Sequence, residues 1–86
     1  MPVIVKIGLL KLLVATNDHN PPHVHAIFGA GLMECEVNMK IYLNDGSVEM
    51  VKGKFSRNQL AKIQDMYESH FEEIVAVWNQ IYGESI

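Results

Sequence analysis

The chain has 86 residues, of which 49% are hydrophobic and 20% charged, and its net charge is −3. This length supports one small domain over residues 1–86, with an ordinary globular composition. The seven lysine and arginine residues are scattered, so charge disfavours a nucleic-acid-binding protein. The single cysteine, Cys35, excludes an intramolecular disulfide and is typical of a reducing, cytoplasmic protein. No apolar run is long enough to predict a membrane span.

The N-terminal part of the chain is predicted to form strands. Two apolar runs, residues 3–7 and 9–15, are separated by Gly8, which is typical of a bent hairpin. Residues 16–22 contain Asn, Asp and paired prolines and are therefore predicted to be a loop. Residues 23–28 follow as a third strand.

A fourth strand, residues 32–43, shows the clearest alternation of apolar and polar side chains in the chain. The Asp45-Gly46 pair after it is a strong hairpin signal and predicts a turn to a fifth strand. The apolar side chains of these two strands are predicted to face the core: Met33, Cys35, Val37, Met39, Ile41, Leu43, Val48 and Met50.

The C-terminal part is predicted to be one long helix, residues 57–82. Ser56 and Gln59 match a capping box at its start, and Gly83 follows its end. A helix of this length would be roughly 39 Å long at about 1.5 Å per residue, so we expect it to bend, overhang the sheet or cover a second subunit. The predicted fold class is therefore α+β, an antiparallel sheet of about five strands with one long C-terminal helix packed across one face.

The apolar stripe of this helix is wider than a single sheet contact requires, because side chains such as His70 extend it to one side. His70 itself is predicted to lie on the helix surface. The width of the stripe predicts a homodimer. Its candidate interface residues are Trp78, Val77, Met66 and Ile81.

Three of the four histidines, His19, His23 and His25, lie within seven residues around the pair Pro21-Pro22. Histidine is the commonest metal ligand and the commonest proton-transfer group near neutral pH. Prolines restrict the backbone, so they favour a defined direction for the histidines that follow them. This segment is the candidate functional site.

The alternation on the third and fourth strands predicts how they pair. Matching their apolar faces sets His25 opposite Glu36 and His23 opposite Asn38. Both imidazoles are then expected on the solvent side of the sheet, beside a carboxylate.

Three uses of this cluster stay open. His19, His23 and His25 are candidate ligands for a divalent transition metal, and the strand pair with Glu36 resembles a two-histidine-one-carboxylate site. His23, His25 and Glu36 are candidate catalytic residues for acid–base cleavage of RNA. In the third use the histidines are structural, and they lock the turn onto the sheet through loop carbonyls and Asp18.

The motif Asp18-His19-Asn20-Pro21-Pro22-His23-Val24-His25-Ala26, the Asp-Gly hairpin and a helix finishing in Trp78-Asn79 resemble a bacterial family, the domain of unknown function DUF4160. The resemblance extends from about residue 3 to residue 83. It implies a bacterial cytoplasmic protein encoded beside a second small protein, in an arrangement like a toxin–antitoxin pair, and it supplies no established activity.

The first-ranked function is a component of such a pair that acts through protein–protein contact. The alternatives are a His-dependent ribonuclease or metal-dependent enzyme that uses the histidine cluster, and a plain metal-binding module.

Overall fold

The computed structural model describes residues 2–16, 18 and 20–86, which form five strands and two helices. The strands make one antiparallel sheet in the order β1-β2-β3-β4-β5, which confirms the predicted α+β class and its five-stranded antiparallel sheet. The elements are β1 Val3–Ile7, β2 Leu10–Leu13, β3 His23–Gly31, β4 Glu34–Tyr42, β5 Val48–Lys52, α1 Arg57–Ser69 and α2 Phe71–Tyr82.

The prediction of one long helix is wrong, because the helical segment breaks at His70, where φ is −120° and ψ is 17°. The His70 backbone N–H donates to the Met66 carbonyl, and the His70 ring bonds to the same oxygen. A side chain that bonds to a backbone carbonyl competes with the regular helical ladder. The break also fits the size of the molecule, since its longest dimension is 33 Å and a straight helix would be longer.

Both predicted helix ends are confirmed. The Ser56 side chain accepts a hydrogen bond from the Gln59 backbone, and the Gln59 side chain accepts one from the Ser56 backbone. Gly83 ends α2 in the left-handed conformation, with φ at 64°. No helix among the described residues is both long enough and apolar enough to cross a bilayer.

The main core lies between one face of the sheet and the two helices. Trp78 and Ile74 of α2 are almost fully buried there, and Ile63 and Met66 supply the buried side chains of α1. Among the described residues, the buried side chains of this core are Leu10, Leu12, Val14, Val24, Ala26, Val37, Met39, Ile41, Leu43, Phe55, Ile63, Met66, Ile74 and Trp78.

The predicted pairing of β3 with β4 is wrong by four residues. His25 lies opposite Lys40, where Glu36 was predicted, and His23 lies opposite Tyr42. A shift by an even number of residues keeps the same faces together, so the apolar pattern cannot distinguish the two registers. The predicted partner Glu36 is about 13 Å away from Lys40 along the strand, at about 3.3 Å per residue.

Several side chains predicted to belong to the core are exposed instead. Met33 is 89% exposed in the turn between β3 and β4, and Val48 and Met50 are exposed on β5. Cys35 is buried, but in a small second cluster with side chains such as Ile27. The β3–β4 register shifts irregularly beside Gly29, so strict alternation does not continue to that end of β4.

Candidate functional site

Asp18, His23 and His25 meet at the start of β3. The Nε2 atom of His23 lies 2.9 Å from Asp18 Oδ2, and the Nε2 atom of His25 lies 2.7 Å from the same oxygen. The loop delivers Asp18, while the alternation of the strand sends both histidines to one face. The two ring centroids are 5.1 Å apart.

Both imidazole rings of the cluster are buried and fully hydrogen-bonded. His23 is 2% exposed and His25 is 4% exposed, whereas the Asp18 side chain is 28% exposed to solvent. His23 Nδ1 lies 2.9 Å from the Pro21 carbonyl oxygen, and His25 Nδ1 lies 2.9 Å from Asn38 Oδ1. All four ring nitrogens therefore have an oxygen partner.

These partners constrain the protons. The Pro21 carbonyl only accepts, so His23 Nδ1 must donate to it, and an ionised Asp18 carboxylate also only accepts from Nε2. Both nitrogens of His23 therefore face oxygen atoms that only accept hydrogen bonds. His25 Nδ1 likewise faces an oxygen, Asn38 Oδ1. The two rings thus point all their nitrogens at oxygen atoms around one carboxylate.

Burial of the Asp18 carboxyl by itself would raise its pKa. Hydrogen bonds from His25 and His23, together with the charges of the two rings, outweigh that effect and hold the pKa of Asp18 below its ordinary value. Asp18 is therefore ionised at neutral pH and is a suitable cation ligand.

The C-terminal end of α2 holds the loop that carries Asp18. The Tyr82 hydroxyl accepts a hydrogen bond from the Asp18 backbone N–H at 3.0 Å and donates to the Ala15 carbonyl. Glu84 accepts from the Asn20 amide at 3.2 Å. The same carboxylate also accepts from the Trp78 indole N–H at 2.6 Å. Asp18 is therefore positioned by a segment more than sixty residues further along the chain.

The structure brings together only part of the predicted site. His23 and His25 are adjacent as expected, but both are buried, so the expectation that they face solvent is wrong. Glu36 is exposed and does not belong to the cluster; its place as the carboxylate is taken by Asp18. His19, the third predicted metal ligand, lies outside the described residues.

Sequence reasoning missed two functional contacts. Asn38 was expected opposite His23, whereas its side chain bonds to His25. The contact of Tyr82 with the Asp18 loop joins distant parts of the chain, and it has no local sequence pattern.

The predicted interface residues belong mainly to the chain's own core. Trp78 is 1% exposed and Met66 is 3% exposed, so their assignment to a dimer interface is wrong. Val77 and Ile81 are half-buried and also pack against the core. The homodimer itself stays a prediction.

The family model described as a domain of unknown function, DUF4160, matches residues 9–79. The chain belongs to this family. The matched segment contains Asp18, His23 and His25, and the resemblance seen in the sequence is thereby confirmed. No curated protein and no solved structure matches the chain significantly.

Proposed function

We propose that this DUF4160 protein binds a divalent transition metal through Asp18, His23 and His25. The observation that carries the proposal is the convergence of both Nε2 atoms on one carboxylate oxygen while both Nδ1 atoms face an outer oxygen. Histidines that bind a metal typically donate their second N–H in this way, which fixes the ring and its tautomer.

The spacing of the donor atoms suits a metal after a small adjustment. One donor atom from each residue lies within 4.8 Å of the others. A tetrahedral zinc with bonds of about 2.0–2.1 Å separates its ligand atoms by roughly 3.4 Å. The present N···O distances would lengthen by about half an ångström, and the partly exposed side chain of Asp18 can shift by that amount while its backbone stays bonded to Tyr82. Two histidines and one carboxylate also suit iron, manganese or nickel.

Metal binding is better supported than metal-free acid–base catalysis. An RNA substrate would have to reach a ring nitrogen, and both rings are almost fully buried with every nitrogen already bonded. A metal ion is small enough to enter from the side of Asp18. Three protein ligands leave a further position for water, a substrate or His19, which remains a predicted ligand.

The direct test is calorimetric titration of zinc and cobalt into tag-free protein stripped with a chelator. We expect one equivalent of metal to bind the wild type. Asp18→Asn, His23→Gln and His25→Gln should each weaken binding by about tenfold or more, since each removes one ligand. Cobalt should also give the visible absorption of a low-coordinate site.

His70→Gln is the matched control, because it removes the histidine at the helix junction and leaves the cluster intact. His19→Ala tests the third histidine of the motif. A wild type that binds no metal, or cluster variants that bind as tightly as His70→Gln, would contradict the proposal.

A component of a toxin–antitoxin-like pair in the bacterial cytoplasm is the second candidate function. An open apolar groove beside the edge strand β5 favours it, because such a surface suits a protein partner. Co-expression with the product of the adjacent gene should give co-elution on a sizing column, and separate elution would count against the partnership. Growth of cells that express the wild type beside a His23→Ala/His25→Ala double variant tests whether any toxicity depends on the cluster.

The homodimer is tested by equilibrium sedimentation at high micromolar concentration. A single species of 9.7 kDa would contradict it.

A further inference from the structure

The two histidines of the cluster lie on the face of the sheet opposite to the main core. Val24 and Ala26 of β3 belong to that core, so the alternation of the strand turns His23 and His25 to the other face. The small apolar cluster on this second face, which includes Ile27, contains no helix residue among the described part of the chain. The neighbouring strand β4 therefore supplies the side chains that lie beside the histidines.

Lys40 is the residue of β4 that lies directly opposite His25. Opposed residues of an antiparallel pair share a face, with their Cα atoms about 4.5–5.5 Å apart. The neighbours of Lys40 on the same face have direct contacts with the cluster. Asn38, two residues earlier, bonds to His25. The centroid of the Tyr42 ring, two residues later, lies 5.7 Å from that of the His23 ring. Lys40 is thus placed between two residues that already contact the site.

The ammonium group of Lys40 has no acidic partner among the described residues. Glu49 lies opposite Lys40 on β5, but its carboxylate accepts a hydrogen bond from the Tyr42 hydroxyl at 2.5 Å. No described carboxylate lies within ion-pair distance of the Lys40 ammonium group. Lys40 is also half-buried, so its charge is less screened than that of a fully exposed lysine.

The charges around the proposed metal favour a negatively charged ligand. A divalent ion brings two positive charges and Asp18 cancels one of them, while the charges of Lys40 and Glu49 cancel each other. Histidines that bind a metal are neutral, so they add nothing. One positive charge is left at the site, and three protein ligands leave a further coordination position.

We propose that this further position binds an oxyanion, a carboxylate or a phosphate, and that Lys40 selects it over a neutral ligand. The proposal rests on the metal site proposed above and names the class of ligand that the site takes. One oxygen of the anion would bind the metal, and the Lys40 ammonium group would donate to a second oxygen. Three N–H donors on a flexible side chain suit Lys40 to that role.

The test uses cobalt-loaded protein, because the visible absorption of cobalt changes when a new ligand enters its coordination shell. Acetate, inorganic phosphate and imidazole are titrated separately at constant ionic strength and about pH 8, where imidazole is a neutral metal ligand. We expect at least one of the two anions to change the spectrum of the wild type. The anion that binds more tightly identifies a carboxylate or a phosphate as the preferred ligand.

Variants of Lys40 separate the effect of charge from that of access. Lys40→Met removes the charge and should weaken anion binding by about fivefold, while imidazole binding changes by less than about twofold. It should not weaken cobalt binding, since a nearby positive charge disfavours a cation. Lys40→Arg should keep most of the anion affinity. Lys62→Met is the matched control, because it makes the same change of charge on the exposed surface of α1.

Failure of this proposal is distinguishable from failure of the metal site. Protein that binds no cobalt would contradict both. Three results with cobalt-loaded protein would contradict the oxyanion proposal alone. The first is a spectrum that responds to neither anion. The second is a Lys40→Met variant that loses imidazole binding as strongly as anion binding. The third is an anion affinity that falls no further in Lys40→Met than in Lys62→Met.

Discussion

The start of β3 and the edge at β5 both depart from the usual rule that apolar side chains are buried and polar ones exposed. At β3 the polar side chains His23 and His25 are buried, and each of their nitrogens has a partner. At β5 apolar side chains such as Val48 are exposed beside open backbone groups. Buried polar groups and exposed apolar patches are the informative exceptions in a small protein. The first region has its contacts within the chain, whereas no described residue pairs with the open side of β5.

The largest expected effect comes from removing the carboxylate at the buried site. Asp18→Ala leaves His23 and His25 without their shared partner, so we expect the free energy of unfolding to fall by about 3 kcal/mol at neutral pH. Urea denaturation followed by circular dichroism measures this loss. Asp65→Ala removes an exposed carboxylate from α1 and should change stability by less than about 0.5 kcal/mol. Equal stabilities of the two variants would contradict the account of the buried site.

Acid should weaken the same region selectively. The pKa of Asp18 is lowered in the folded protein, so its contribution to stability is fully present above its unfolded pKa of about 3.9 and is lost as the pH falls through the folded value. Asp18→Asn lacks this contribution. The difference in unfolding free energy between wild type and Asp18→Asn, measured with a chelator present, should shrink as the pH falls below about 4. A difference that stays constant in acid would contradict the sign of the shift.

The contact between α2 and the Asp18 loop should have a moderate effect. Tyr82→Phe removes the hydroxyl that bonds to Ala15 and to the Asp18 backbone, so we expect a loss of about 1 kcal/mol and weaker metal binding. Tyr42→Phe is the control, since its hydroxyl bonds only to the exposed Glu49 and should matter little. Metal affinity that is equal in both variants would mean that Tyr82 does not position Asp18.

Most of the fold follows from local pattern. The strands, the Asp45-Gly46 turn and the helix start at Ser56 each have a short-range signature, and each is confirmed. The register of β4 against β3 and the break at His70 have no such short-range signature. A four-residue shift keeps every face in place. The break is accompanied by the bond of the His70 ring to the Met66 carbonyl, which the helical spacing of apolar residues does not indicate.

The sequence predicts the part of the site that lies within one motif and misses the contacts made by distant residues. The spacing of His23 and His25 put them side by side on one face, and Asp18 was expected as a hydrogen-bond partner of the histidines within the same motif. The contact of Tyr82 with the loop joins segments far apart in the chain, and no single sequence shows it. The burial of both rings follows from the same long-range packing.

The smallest expected effect on stability belongs to the open edge. Leu60→Gln replaces a half-exposed side chain that lines the apolar groove beside β5, so we expect a loss of no more than about 0.5 kcal/mol. Thermal unfolding measures this change. A large loss of stability would mean that the groove wall is part of the core.

The most direct test of the metal site is anomalous diffraction at the zinc absorption edge, from crystals of the protein soaked in zinc. The account predicts one strong peak between Asp18, His23 and His25, about 2.0–2.1 Å from both Nε2 atoms and a carboxylate oxygen. The absence of a peak there, with His23 and His25 still bonded directly to Asp18, would contradict it.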